Sequence, residues 1–137
     1  MIKTKDLKMT VEQILNSLRA ESSSKAKAKI LTENKANAEL EKIFKYAYDK
    51  VSFVYGVSKT TVEAYETDKK TESSLDEVLN DLSARKVSGH KALELSKAFI
   101  NSNPELKDLF LSILDRDLKV GINSKTLNKI WKGIIRN

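Results

Sequence analysis

The sequence predicts an all-α protein: a compact bundle of about seven helices with one irregular or hairpin-like excursion near residues 51–73. Three observations carry this. Apolar residues recur with the 3.6-residue period along most of the chain, helix-start signals precede nearly every apolar stripe, and breakers are scarce, with four glycines and one proline in 137 residues. A chain of this length with 40% hydrophobic residues can bury a sizeable core without staples, and residues 1–137 are expected to form a single domain.

The elements follow in order. Thr10-Val11-Glu12-Gln13 has the form of a capping box, worth about 1 kcal/mol, ahead of a stripe of Val11, Ile14, Leu15 and Leu18. Ser22 to Ser24 opens a second helix with Ala26, Ile30 and Leu31 inward and Lys25, Lys27 and Lys29 outward. A third runs from about Ala38 to Asp49 on Leu40, Ile43, Phe44 and Ala47. Between Val51 and Tyr65 the period changes: Val51, Phe53, Tyr55 and Val57 alternate and Gly56 interrupts them, which reads as an extended or hairpin-like stretch. Thr67 to Ser73 is polar and reads as a loop. Ser74-Leu75-Asp76-Glu77 is a second capping box, followed by Val78, Leu79 and Leu82. Ser88 is placed to cap a fifth helix carrying Leu93, Leu95, Phe99 and Ile100. Asn103-Pro104 pairs a capping residue with proline at the first helical position, where the missing amide costs nothing, and Leu106, Leu109, Phe110, Ile113 and Leu114 follow. Gly121 fits a helix stop, and Asn123 or Ser124 would cap a last helix through Leu127, Ile130 and Trp131.

Composition excludes several classes. Without cysteine there is no disulfide framework, thiolate metal site or cysteine nucleophile, and a single histidine, His90, rules out a multi-histidine metal site. No apolar run approaches the roughly 18 residues of a membrane span, and Met1 to Asp6 lacks the apolar stretch of a signal peptide, so a cytoplasmic protein is expected. The formal charge of +6 is unevenly spread. Arg116, Lys119, Lys125, Lys129, Lys132 and Arg136 face one acid, Asp117, within the last segment, as a phosphate-binding surface requires; a solvated basic tail would give the same count.

No catalytic constellation can be assembled. There is no glycine-rich phosphate loop and no nucleophile elbow, and Asp115 and Asp117 beside Arg116 read as surface charges rather than a metal pair. Two helix starts are better candidates for phosphate. At Ser88-Gly89-His90-Lys91, backbone amides, a hydroxyl, a glycine permitting close approach and a lysine coincide. At Gly121-Ile122-Asn123-Ser124-Lys125-Thr126 the same ingredients recur. Each start contributes only about 0.3–1 kcal/mol of attraction to an anion, so Arg85, Lys86, Lys125 and Lys129 would have to assist. The plainer alternative is that both are ordinary helix caps. His90, in a polar context, reads as exposed, and Trp131, spaced with Leu127, reads as core.

The run Arg116-Asp117-Leu118-Lys119-Val120-Gly121-Ile122-Asn123-Ser124-Lys125-Thr126-Leu127-Asn128-Lys129-Ile130-Trp131-Lys132-Gly133-Ile134-Ile135 resembles the closing signature of the N-terminal DNA-binding domain of ATP-dependent DNA ligases of the T-even bacteriophage type. Ile14 to Asn16 with Lys29 to Lys35, and Ala84-Arg85-Lys86-Val87-Ser88-Gly89-His90-Lys91-Ala92, agree with that family in the right order, so the resemblance extends from Val11 to Ile135. It implies an all-helical domain that grips duplex or nicked DNA through its backbone on the minor-groove side, with little base preference. The resemblance assigns backbone contacts to the Ser88-Gly89-His90 and Gly121-to-Lys125 junctions, and together with the charges and caps the candidate DNA-binding set is Arg85, Lys86, Ser88, Gly89, His90, Lys91, Gly121, Asn123, Ser124, Lys125, Asn128 and Lys129. Catalytic and metal residues are expected to be absent, because no Lys-x-Asp-Gly occurs; ATP and Mg would serve catalytic domains, in cis or in trans, outside this sequence, which is then a fragment or a free-standing domain. A monomer is expected. Residues 51–73 depart from the family pattern, so no contact from that loop is carried over, and His90 stands where the family usually has asparagine, so no specific amide contact is carried over there.

Two rival readings come from other classes. Tyr55 to Tyr65 resembles the turn and second helix of a helix-turn-helix reader, which would make the chain a sequence-specific regulator; Ser52, four residues before Gly56, lies in an alternating segment rather than a helix and speaks against it. A helical protein-interaction module with an acidic partner would bind without the steep salt dependence of phosphate neutralisation.

Overall fold

In the computed structural model, which describes residues 4–135, the helices are α1 (Thr4–Ala20), α2 (Ser24–Glu33), α3 (Ala38–Tyr48), α4 (Lys59–Ala64), α5 (Leu75–Ser83), α6 (Gly89–Ser102), α7 (Lys107–Leu114) and α8 (Ser124–Ile130), with a 3-10 turn at Pro104–Leu106. No strand occurs among the described residues. The all-α expectation holds.

Most helix starts are where the sequence placed them. Ser23 accepts the Ala26 amide and Asn37 that of Leu40. At Ser74 the capping box is complete, with the Ser74 hydroxyl accepting from the Glu77 amide at 3.1 Å and the Glu77 carboxylate accepting from the Ser74 amide at 2.9 Å. Some expectations need correction. α1 starts at Thr4, so Thr10 is inside the helix rather than its cap; nothing between Thr4 and Thr10 breaks a helix. Of the irregular or hairpin-like alternatives for the excursion near 51–73, the structure shows the irregular one, and it contains α4, which Ser58 and Thr61 open through a second complete capping box. Asn103-Pro104 opens the 3-10 turn, with α7 beginning three residues later, and the Asn103 carboxamide bonds back to Phe99 O at 3.0 Å. Gly121 ends no helix: α7 stops at Leu114, and the intervening residues are irregular.

The chain divides into two compact units. The first joins residues up to Asp49 with those from Leu118 onward. Its core is the α1 stripe of Val11, Ile14, Leu15 and Leu18, with Leu31, Leu40, Ile43, Phe44, Leu118, Val120, Leu127 and Trp131, all buried. Ala26 and Ile30, read as α2's inward side, are only half-buried. Phe44 lies 6.0 Å from the Tyr48 ring and 5.8 Å from the Trp131 ring, and the Trp131 indole donates to Lys35 O at 3.0 Å. Trp131 is therefore core, as its spacing predicted. Asp49 is fully buried, and the Lys45 ammonium that reaches its carboxylate at 3.0 Å also donates to Ile134 O at 2.9 Å.

The second unit runs from Lys50 to Asp117. Here α6 packs against α4 and α5, and Phe99 and Phe110 meet at 5.1 Å between ring centres within a core that includes Val62, Val78, Leu79, Leu82, Leu106 and Ile113. Leu93 and Leu95 are half-buried, and Ala92, Ser96 and Ala98 take the innermost places on α6. The buried Ser96 hydroxyl is satisfied by Ala92 O at 2.8 Å. The polar loop after Tyr65 is tied to α6: Asn101 donates to Thr67 O and Lys69 O, each at 2.9 Å, and Ser102 accepts the Thr71 amide.

Candidate nucleic-acid interface

The junction in the second unit is built from the end of α5. Arg85 adopts φ +60°, its amide bonds to Leu82 O at 3.2 Å and the Lys86 amide bonds to Asp81 O at 3.0 Å. This is a Schellman stop whose left-handed position, usually glycine, is an arginine. The Arg85 guanidinium lies over Gly56, whose own φ is +73° and where any Cβ would collide with it. Lys86 reaches Asp81 at 3.7 Å with most of its side chain in water, an ion pair of little worth. Ser88 then holds the extended conformation of an N-cap, but its hydroxyl makes no capping bond. That departs from the expectation that Ser88 caps α6. Gly89 takes φ +56° with open space where a Cβ would stand. Ser88, Gly89, His90 and Lys91 are all exposed. The first turn of α6 thus presents amide donors that have no partner within the helix, beside a hydroxyl and a lysine.

The junction in the first unit is held more firmly. The Leu118 amide donates to the Tyr48 hydroxyl at 2.9 Å, and Leu118 O accepts from Arg19 Nε at 3.1 Å. Lys119 at φ +58° and Gly121 at φ +66° turn the chain. The Lys27 ammonium stands over Gly121, 2.5 Å from where a Cβ would be. Asn123 is the true cap of α8, its carboxamide oxygen accepting the Thr126 amide at 2.9 Å. Asn128 is engaged at both ends: its oxygen accepts the Ile135 amide at 2.8 Å and its nitrogen donates to Ile135 O at 3.2 Å. Gly121, Lys125 and Lys129 are exposed, and Ser124 is half-buried.

The predicted residues therefore separate by what their polar atoms already do. Arg85, Lys86, Ser88, Gly89, His90 and Lys91 cluster on one exposed junction; Gly121, Lys125 and Lys129 are exposed on the other; Asn123 and Asn128 hold the backbone. Sequence reading treated Lys27 chiefly as part of a solvated face, and only the structure puts it at Gly121. It also missed the left-handed arginines. The non-glycine residues with positive φ among the described residues are Arg85, Arg116 and Lys119. The available signal was negative: no glycine follows Leu82 or Leu114 where a helix stop is needed. Among the described residues no group of three or more His, Asp or Glu could hold a metal ion, and no helix is long and apolar enough to cross a membrane. The helix-turn-helix reading loses its first helix, since residues 49–58 ahead of α4 are irregular.

Over most of its length this all-helical chain, with its basic, tryptophan-bearing closing segment, is similar to part of known DNA ligases. No family model matches the chain. Its curated relatives include the DNA ligases of Enterobacteria phages T4 and T6, each 27% identical over 128 residues that make up 90% of this chain and 26% of the relative. The chain thus spans about a quarter of the length of the relatives it matches. Two solved structures, named Pmar-Lig_PreS3 and Pmar-Lig_Pre, superpose with TM-scores of 0.68 and 0.66 at 26% and 25% identity, over 89% of this chain and 29% of theirs.

Proposed function

We propose that the chain is the DNA-gripping domain of an ATP-dependent DNA ligase, binding duplex or nicked DNA through its sugar-phosphate backbone on the minor-groove side with little regard to sequence. The observation that carries this is the α5–α6 junction: amide donors at the start of α6, the Ser88 hydroxyl without a capping bond, open space at Gly89 and the Arg85, Lys86 and Lys91 cations, all exposed. Lys125 and Lys129 at the start of α8, and Lys27 over Gly121, supply further phosphate neutralisation. Asn123 and Asn128 act from within, fixing the loop and the closing residues. His90 contributes a ring donor beside the phosphate. The domain raises substrate affinity and orients the nick, while adenylation and sealing, with ATP and Mg, belong to catalytic domains outside this sequence, joined in cis or recruited in trans. It acts as a monomer in the cytoplasm.

The test is fluorescence anisotropy of labelled nicked duplex, intact duplex and single strand across a salt series. The expected result is duplex binding whose log affinity falls against log salt by about 0.9 per neutralised phosphate, unchanged on scrambling the sequence and weakened by Ser88→Asp and by Lys125→Glu. Absence of duplex binding at low salt overturns the proposal in favour of a protein-interaction module; strong preference for one sequence overturns its backbone mode.

A further inference from the structure

The segment Val51 to Ser73 departs from the ligase pattern, and the structure ties its first part to distant residues. Tyr55 is buried, the Val54 amide donates to the Ser83 hydroxyl at 3.3 Å, and Arg116 donates to Phe53 O at 2.7 Å while its guanidinium sits 4.8 Å over the Tyr55 ring. From the other direction Arg85 lies over Gly56. Two arginines in left-handed backbone, a conformation that costs a side-chain-bearing residue and costs glycine nothing, therefore both spend their guanidinium groups on this one loop. What the loop displays is apolar: Val51 is 58% exposed and Val54 52%, the exposed large hydrophobic residues of the described chain. Val54 also borders a groove of about 320 Å³ lined by Lys50, Phe53, Tyr55, Val57, Leu114 and Arg116. Between Lys50 and Lys59 there is no acid.

An apolar tip with Lys50 and Arg85 beside it, and no acid between Lys50 and Lys59, complements a surface that is anionic at its edges and apolar between them. The minor groove has that character, with deoxyribose faces between two rows of phosphates. We propose that the 50–57 loop is a second DNA-contacting element, in which Val51 and Val54 lie against deoxyribose while Lys50 and Arg85 meet the flanking phosphates, so that the domain prefers deoxyribose to ribose. This rests on the DNA-gripping reading above. A 2′-hydroxyl placed against the valines would be desolvated without a partner, and in a ribose-containing duplex the groove is wide and shallow and lined with such hydroxyls.

The test is anisotropy of the full chain with a DNA duplex, a DNA–RNA hybrid and a double-stranded RNA of one sequence, over a salt series. The parent is expected to bind the DNA duplex roughly fivefold or more tighter than the hybrid. Val51→Ser with Val54→Ser should weaken DNA binding by roughly three- to tenfold, leave the salt slope unchanged because no phosphate contact is lost, and shrink the preference for DNA over hybrid. Val51→Thr with Val54→Thr, nearly isosteric, gives the same readout if the serine pair lowers the melting temperature. Arg85→Gln should reduce the salt slope by about one. A parent that binds duplex with steep salt dependence while the valine variants match it on DNA and hybrid alike overturns this inference and leaves the DNA-gripping reading standing; a parent that binds no duplex overturns both.

Discussion

The two basic junctions are written in nearly the same residues and do different jobs. Each offers a small polar residue at an N-cap, a glycine in left-handed backbone and a lysine one turn into the helix. At Asn123 the side chain is spent on the Thr126 amide, and Gly121 is covered by Lys27. At Ser88 the hydroxyl makes no capping bond, and Gly89 faces open space. The first arrangement stabilises the fold and offers its lysines outward; the second leaves donors to be satisfied by water or by a ligand. Residue type at a helix start is therefore a weak guide to function, whereas the partner its side chain has chosen is a strong one.

That contrast can be broken by substitution. The largest effect is expected at Asn128, whose carboxamide satisfies both polar groups of Ile135: Asn128→Ala should cost about 2 kcal/mol, read as a lower urea midpoint. An unmoved midpoint would return Asn128 to the list of residues available to DNA. Next comes Ser88→Asp, which should weaken duplex binding roughly tenfold, or about 1.4 kcal/mol, while leaving the melting temperature level or slightly higher, because an acid suits a helix start. If binding and stability fall together, the junction is structural after all. The paired alanine substitutions sharpen the comparison: Asn123→Ala should cost about 1 kcal/mol of stability and Ser88→Ala only a few tenths, since the first removes a capping bond and the second does not. Equal losses in thermal melts would erase the distinction. Smallest is Arg85→Gly, which should gain about 0.5 kcal/mol by relieving left-handed backbone, while the salt slope of DNA binding falls by about one. A destabilised Arg85→Gly would show that the guanidinium over Gly56 is worth more to the fold than the backbone strain costs.

Much of the fold was legible in the sequence because its cues are local. Ser23, Ser74 and Asn123 cap where they should, since a short polar side chain followed by an apolar stripe leaves few alternatives. The failures share one cause, competition from something non-local or from the surrounding chain. Thr10 has a capping motif but sits in a segment able to stay helical on both sides. The alternation of Val51, Phe53, Tyr55 and Val57 imitates a strand, but no partner strand exists among the described residues, and the backbone is held by Ser83 and Arg116 from distant positions. In the candidate interface the cations and the exposed His90 were readable from charge and context. The spent state of Asn123 and Asn128, the Lys27 ammonium at Gly121 and the arginines in glycine's place were not, because each depends on a contact or a dihedral angle that no local pattern encodes.

The interruption of the first unit by the second has a consequence in time. Phe44 packs against Trp131 with tilted rings, Lys35 O receives the Trp131 indole, and Lys45 binds Ile134 O, so helices made early are completed by residues made late. As the chain is synthesised, the Lys50 to Asp117 unit has all its own contacts available before the first unit has its closing segment. Until Trp131 emerges, the inner face of α3 lacks its largest apolar neighbour and is open to wrong partners. The segment that carries Lys125 and Lys129 is thus also the bolt of the fold, and the domain acquires this part of its basic surface only as its first core closes.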